Sequence, residues 1–347
     1  MSQPTAPHNL MQAHNYHHPQ PFALESGAVL PEIDISYHCS APGPDGKKVL
    51  WICHALTANS NPMEWWDVLV GPGKCFDPKD YFIICANILG SCYGSTGPLS
   101  LNPLSGRPYY DDFPLVSVRD LVAAHELLRK HLGIAEVDIV IGGSVGGFQA
   151  LEWCASYPDV CKHLIMIACN ARISPWGTAY NESQRMAILA DPSYASRQPE
   201  GGAQGLAAAR SIALLSYRSY EGYRRSQAEP SQDCFEAQRA ASYQQYQGQK
   251  LRQRFDAYSY MALTRTLDTH NVGRGRGGVR AALQGVQAKT LCIGIQGDQL
   301  FPPREVRAIQ QAIPGARYAS LHSYFGHDGF LLEWGAIQHI VHSFLAS

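Results

Sequence analysis

Charge of a single sign is missing from this chain. Its 28 Lys and Arg stand against 29 Asp and Glu, a net charge of −1, so no broad field is available to hold nucleic acid or an anionic membrane. Long apolar runs are missing too, none approaching the ~20 residues that span a bilayer. The amino terminus, with its His, Pro and Gln, has neither a basic n-region nor an apolar h-region, so no secretory leader is expected. Ten cysteines are present, yet there is no Cys-x-x-Cys and no close His/Cys quartet, which argues against a zinc site and a disulfide framework. Cys53, Cys85, Cys154, Cys161, Cys169 and Cys292 lie in apolar strand-like or helical runs, the pattern of buried thiols in a reducing cytoplasm. His14, His17 and His18 sit in a polar tail without matching ligands nearby and are read as solvated; no metal is expected.

What is present is a globular chain of 347 residues, 45% hydrophobic, long enough for one large α/β domain with an insertion. Residues 1–20 read as a poorly ordered arm that could dock along a sheet edge or a partner, and 22–39 as an antiparallel hairpin opening a sheet. Buried strands are expected at 48–56, 81–89, 139–143 and 164–168, with helices at 117–132 and 147–157. This alternation predicts a mainly parallel sheet with helices on both faces, and ligands beyond the carboxyl ends of its strands. From about Asn170 the texture changes to Ala, Gln, Arg and Tyr with long helical stretches, at 183–189, 205–217, 234–255 and 258–267. Strand pattern returns at 290–295 and 318–321, with helices from Arg304 and up to Phe344. The economical division is a core in two parts, 1–170 and 286–347, interrupted by a helical lid at 171–285.

The stretch Ile139-Val140-Ile141-Gly142-Gly143-Ser144-Val145-Gly146-Gly147 has the order of a nucleophile elbow: a strand, a sharp turn with serine at its apex, and a helix behind. Gly142 and Gly146 carry no Cβ to clash where strand and helix cross, and the Val145 amide falls at a helix start, where unpaired N–H groups favour an oxyanion. Asp298 and His327 each follow a later strand, in the chain order Ser…Asp…His. Serine needs an imidazole to take its proton, and the imidazole needs a carboxylate to fix its tautomer. Asp328 and Glu333 are rivals for that carboxylate, but a neighbour of the histidine reaches the far side of its ring poorly, so Asp298 is preferred. A second oxyanion donor is expected from the backbone at Leu56 or Thr57.

At these residues the sequence resembles the homoserine O-acetyltransferase family of the α/β-hydrolase superfamily. The matching blocks include His54-Ala55-Leu56-Thr57, Gly94-Ser95-Thr96-Gly97-Pro98, Gly142-Gly143-Ser144-Val145-Gly146-Gly147, Gly273-Arg274-Gly275-Arg276-Gly277-Gly278, Asp298-Gln299-Leu300-Phe301-Pro302-Pro303 and Gly326-His327-Asp328-Gly329. The resemblance implies the α/β-hydrolase fold and a Ser144–Asp298–His327 triad, beside which Leu56 and Val145 are the expected oxyanion donors. It implies ping-pong transfer of acetyl from acetyl-CoA to L-homoserine through acyl-Ser144, at the opening of methionine synthesis. It further implies substrate contacts from Arg210, Tyr217 and Asp328, beside which Thr57 is also expected to line the site, and no permanently bound cofactor. The cysteine pattern points to a cytoplasmic setting, and the apolar faces of the helical insertion suit a homodimer. Arg210 and Tyr217, seven apart, share one face of a helix; a guanidinium can clamp a carboxylate, and Asp328 can hold an ammonium. The continuation Ala58-Asn59-Ser60-Asn61-Pro62, in place of a His-rich one, leans towards acetyl rather than succinyl as the acyl group. Serine-directed transfer and hydrolysis of small esters or thioesters are the alternatives. Arg274 and Arg276 are read as part of the return from lid to core in preference to a CoA phosphate contact.

Overall fold

Apolar runs without alternation build the centre of the sheet, because strands covered on both faces leave no side for polar residues. The computed structural model describes residues 10–347. Its central sheet contains β1 (Gln12–His18), β2 (Ile33–Cys39), β3 (Lys48–Cys53), β4 (Tyr81–Ala86), β5 (Val137–Gly143), β6 (Cys161–Ile167), β7 (Lys289–Gln296) and β8 (Arg317–His322). They lie in the order β1-β2-β4-β3-β5-β6-β7-β8. The first three are joined antiparallel and every later pairing is parallel.

Alternate residues of β3 enter opposite cores. Val49, Trp51 and Cys53 pack on one face with α1 (Val118–His131), α2 (Val145–Ser156) and α9 (Pro303–Ala312). Leu50 and Ile52 pack on the other with the final helix α10 (Trp334–Leu345). Ser117 starts α1 with a reciprocal cap: its hydroxyl accepts from the Asp120 N–H, and Asp120 accepts from the Ser117 N–H at 2.7 Å.

Between β6 and β7 the chain forms α3 (Pro175–Leu189), α4 (Ala203–Tyr217), α5 (Tyr220–Ser226), α6 (Arg239–Arg252), α7 (Ala257–Asp268) and α8 (Val279–Gln284), with α4 packed against both α3 and α6. The helix expected over 234–255 is shorter, and α5 and α8 were not anticipated; both are short and carry little periodicity. None of the helices among the described residues is long and apolar enough to cross a membrane.

The amino-terminal segment takes the edge position foreseen for it but is better ordered than expected. Residues 12–18 are not poorly ordered: they form the edge strand β1, in register with β2 from Gln12↔Cys39 to His18↔Ile33; the first nine residues lie outside the described part. The strand is polar, with His17 beside Asp34 at 3.1 Å, so it lacked an apolar signature; polar edges of this kind discourage pairing with another chain. Within 22–39, Phe22–Ala23 pairs with Val29–Leu30 as a separate small hairpin, while Ile33–Cys39 joins the main sheet. Arg274 and Arg276 are fully engaged. Arg274 makes two contacts with the Glu25 carboxylate, and Arg276 reaches Glu152 on α2 at 2.6 Å, fastening the end of the insertion to the helix behind the elbow.

Three histidines are buried as neutral rings. Burial pushes His54 and His270 down to about 4 and His125 to about 3. His125 lies between Trp51 and Trp153, with neither ring nitrogen hydrogen-bonded. Unfolded histidine binds its proton near pH 6.5, so between about pH 4 and pH 6.5 the unfolded chain holds more protons and acid destabilises the fold. Stability is therefore expected to be full above about pH 6.5 and to fall steadily towards pH 4, each ring contributing on the order of 3 kcal/mol. Thermal melts across this range test it: His125→Leu should flatten the slope, and an unchanged slope refutes the assignment to that ring.

Candidate active site

The elbow is built by backbone contact. β5 ends at Gly143, Ser144 adopts φ 57° and ψ −127°, and α2 begins at Val145. A positive φ is costly for a residue with a Cβ. Here it is held by hydrogen bonds on both sides: the Ser144 N–H donates to the Ile167 carbonyl at 3.0 Å, and its carbonyl accepts from Gly147 and Phe148. A Cβ on Gly142 would stand 2.2 Å from the Gly146 carbonyl, and one on Gly146 would stand 2.1 Å from the Cys53 carbonyl oxygen. Strand β5, helix α2 and the end of β3 thus meet at backbone distance.

That contact brings the His54–Thr57 turn alongside the serine. Cys53 is opposite Gly142 in the sheet, and Gln149 on α2 donates to the His54 carbonyl at 3.1 Å. The buried His54 is fixed as the Nδ1–H tautomer: Nδ1 donates to the Ala55 carbonyl at 2.8 Å, while Nε2 accepts from the Ile88 N–H at 3.2 Å. Leu56 and Thr57 occupy the middle of a turn closed by Ala58 N–H donating to the Ala55 carbonyl. Among the described residues, neither the Leu56 N–H nor the Val145 N–H donates to a protein acceptor.

On the other side of the cavity, His327 Nδ1 donates to Asp298 Oδ2 at 2.8 Å. The second Asp298 oxygen accepts from the Leu300 and Phe301 N–H groups at 2.8 and 2.9 Å, so the carboxylate is anchored at both ends. Burial opposes a charge on His327, but the Asp298 carboxylate and, behind it, Asp328 outweigh it, and the imidazole is pulled above its ordinary value. Phe301, Phe330 and Tyr217 surround the ring, with centroids 5.3, 5.4 and 5.8 Å away.

Ser144 and His327 line one cavity of about 410 Å³, together with Leu56, Thr57, Arg210, Tyr217 and Asp328. No direct hydrogen bond joins Ser144 to His327 in this structure; such bonds tighten when a substrate engages. Arg210 and Tyr217 both lie on α4, the guanidinium 5.4 Å from the ring centroid. Asp328 is not free, since Arg218 sits 3.0 Å from it. The cavity also includes residues that the sequence did not single out: Glu64, Trp65, Tyr93, Arg218, Lys250 and Arg254. Arg218 adjoins Tyr217 and was within reach of the sequence reading. Arg254, which donates to the Thr57 carbonyl at 2.5 Å and to the Tyr93 hydroxyl at 2.6 Å, comes from a loop with no local signature. Arg274 and Arg276 lie outside this cavity.

A family model described as the alpha/beta hydrolase fold matches residues 48–332. A homoserine O-acetyltransferase of Cyclobacterium marinum is 46% identical over 325 residues, covering 93% of this chain and 92% of that one. The chain belongs to the homoserine O-acetyltransferase family. Among solved structures, a homoserine O-acetyltransferase from Staphylococcus aureus superposes with a TM-score of 0.81 at 30% identity, over 96% of this chain and 95% of that one. The acetyl esterase MekB superposes at 0.83 with 26% identity, over 97% of each chain. Transferases of this family and an esterase therefore share one framework, and what separates them has to be sought in the cavity.

The elbow makes a direct prediction. Gly146→Ala drives a methyl into the Cys53 carbonyl oxygen, a backbone atom that cannot rotate away. A loss of about 3 kcal/mol is expected, the upper end for overpacking, measurable by denaturant melts. A variant as stable as the parent would show that the strand, helix and loop are not held at this separation.

Proposed function

We propose that this chain transfers the acetyl group of acetyl-CoA to the hydroxyl of L-homoserine through an acyl-Ser144 intermediate. The observation that carries the reading is the anchored Asp298–His327 pair, opening with Ser144 on a cavity that also holds Arg210 and Asp328. In the first half-reaction His327 Nε2 takes the Ser144 proton as Oγ attacks the thioester carbonyl. The Leu56 and Val145 N–H groups stabilise the oxyanion. As the tetrahedral adduct collapses, the imidazolium passes its proton to the departing CoA sulfur. In the second half-reaction His327 takes the homoserine hydroxyl proton, that oxygen attacks the serine ester, and the proton returns to Ser144 Oγ. Asp298 holds the ring through Nδ1 and stabilises its cation in both halves.

The acceptor is bound by its two charges, Arg210 on the carboxylate and Asp328 on the ammonium, with Tyr217 and Thr57 completing the wall. No prosthetic group takes part. At the mouth, Lys250 and Arg254 are exposed and have no acidic partner among the described residues, which suits the phosphates of the CoA donor. All ten cysteines are free thiols, in keeping with a cytoplasmic setting. Trp176, Met186 and Leu189 on α3 and Leu215 on α4 are exposed, and we read them as a homodimer surface.

Hydrolysis of small acetyl esters is the second reading, favoured by the likeness to MekB. Mass spectrometry after brief exposure to acetyl-CoA tests the first step: one acetyl group is expected on the Ser144 peptide and none in Ser144→Ala. Acetyl transfer undiminished in Ser144→Ala overturns the proposed nucleophile. CoA release that stays fast without homoserine overturns transfer in favour of hydrolysis. Lys250→Ala should raise KM for acetyl-CoA by roughly tenfold, the equivalent of one lost phosphate contact, while leaving turnover of p-nitrophenyl acetate unchanged. Equal KM values for acetyl-CoA in parent and variant would remove Lys250 from the donor site.

A further inference from the structure

Arg218 stands between two cavities. One face lines the active-site cavity; the other closes a smaller chamber of about 220 Å³ bounded by Tyr223, Tyr243 and Phe325. Helix α4 ends at Tyr217, and the extended backbone of Arg218 (φ −109°, ψ 151°) turns its side chain off the helix axis. Nε then lies 3.0 Å from Asp328 Oδ2, but its N–H is not aligned on that oxygen and finds no hydrogen-bond acceptor. The contact is thus an ion pair, and the guanidinium is steadied by the Phe325 ring, 5.7 Å from its centroid.

Backbone contacts fix the separation of the two charges. Gly326 has φ +64°, and a Cβ there would stand 2.8 Å from the Ser219 nitrogen and 3.0 Å from the Arg218 carbonyl carbon. The Ser219 hydroxyl donates to the Tyr324 carbonyl, and a Cβ on Gly222 would meet that same oxygen at 2.5 Å. The end of α4 and the turn carrying His327 and Asp328 are therefore one packed unit.

We propose that Arg218 is a positioning residue for acceptor choice: its guanidinium keeps Asp328 an anion beside His327, so that the pocket demands an ammonium group on the alcohol it acylates. This rests on the acyltransfer reading above. Asp328 needs such a partner because its side chain is only 13% exposed. Burial pushes its carboxyl above the ordinary carboxylate range and Asp298 adds to that; Arg218, His327 when protonated, and Arg210 act against the rise without cancelling it. Arg218 is the largest of the opposing influences. Without it the balance moves to the neutral acid, which has no charge to offer an ammonium group.

The test is steady-state kinetics of Arg218→Gln with L-homoserine and with 4-hydroxybutyrate, the same alcohol without its amino group, from about pH 6.5 to pH 9. KM for homoserine should rise by at least about tenfold near pH 7 and recover as pH rises and Asp328 ionises. Preference for homoserine over 4-hydroxybutyrate should shrink at the low end of the range, and Arg218→Lys should restore much of it. An acyl-serine should still form from acetyl-CoA, as followed by mass. If Arg218→Gln folds poorly, Asp328→Asn carries the same test: it should lose the preference at every pH, with no recovery. A homoserine KM in Arg218→Gln equal to the parent's across the range overturns the proposal, as does an Asp328→Asn enzyme that keeps its preference. A parent enzyme that forms no acyl-serine instead defeats the acyltransfer reading, and the two failures are read in separate assays.

Discussion

The site depends on one close approach. Gly142, Gly146 and the Cys53 carbonyl meet with no room for a side chain, which sets the crossing of strand, helix and the His54–Thr57 turn. Ser144 adopts a backbone conformation that costs on the order of 1–3 kcal/mol, and the surrounding sheet, buried on both faces, supplies the stability to offset it. Its φ of 57° puts the side chain at the apex of the turn and leaves the Val145 N–H without a protein partner at the start of α2. Position of the serine and the free N–H beside it are thus outcomes of the same steric contact.

Two buried histidines near this contact show how the partner decides the charge. His54 has only a carbonyl acceptor and a backbone donor, so burial prevails and it stays neutral, serving as a rigid bridge between the Ala55 carbonyl and the Ile88 N–H. His327 is as deeply buried but faces Asp298, and its proton affinity moves the opposite way. On the proposed mechanism this difference is useful: the oxyanion loop needs a ring that never titrates, whereas the base needs one that can carry a proton through a turnover.

Much of this was legible in the sequence because it lies in short, steeply constrained segments. The glycines around Ser144, the apolar runs of β3, β5 and β6, and the strand-end positions of Asp298 and His327 each have few alternative explanations. The edge strand β1 was not legible, since its polar residues satisfy an edge without displaying an apolar period. Boundaries in the insertion were blurred for a related reason. Helices α4 and α6 pack against other helices and not against the sheet, so their apolar stripes are weak and Ala-rich or Gln-rich. Arg218, Lys250 and Arg254 converge only in three dimensions, and no spacing announces them.

The insertion contributes more than cover. Esterase and transferase share the framework, and a serine ester beside a general base is open to water or to any alcohol that reaches it. What favours an amino-acid alcohol must be supplied by groups that recognise its charges, and on the proposed reading these are carried on α4 and on the turn after β8. Because Gly326 abuts the backbone of Arg218 and Ser219, a shift of α4 would displace Asp328 and His327 with it. On this view acceptor recognition and general-base geometry are coupled through packed main chain. Substitutions at the end of α4 that spare every catalytic side chain would then act on the partition between transfer and hydrolysis, because the groups that bind the acceptor and the ring that activates it move as one body.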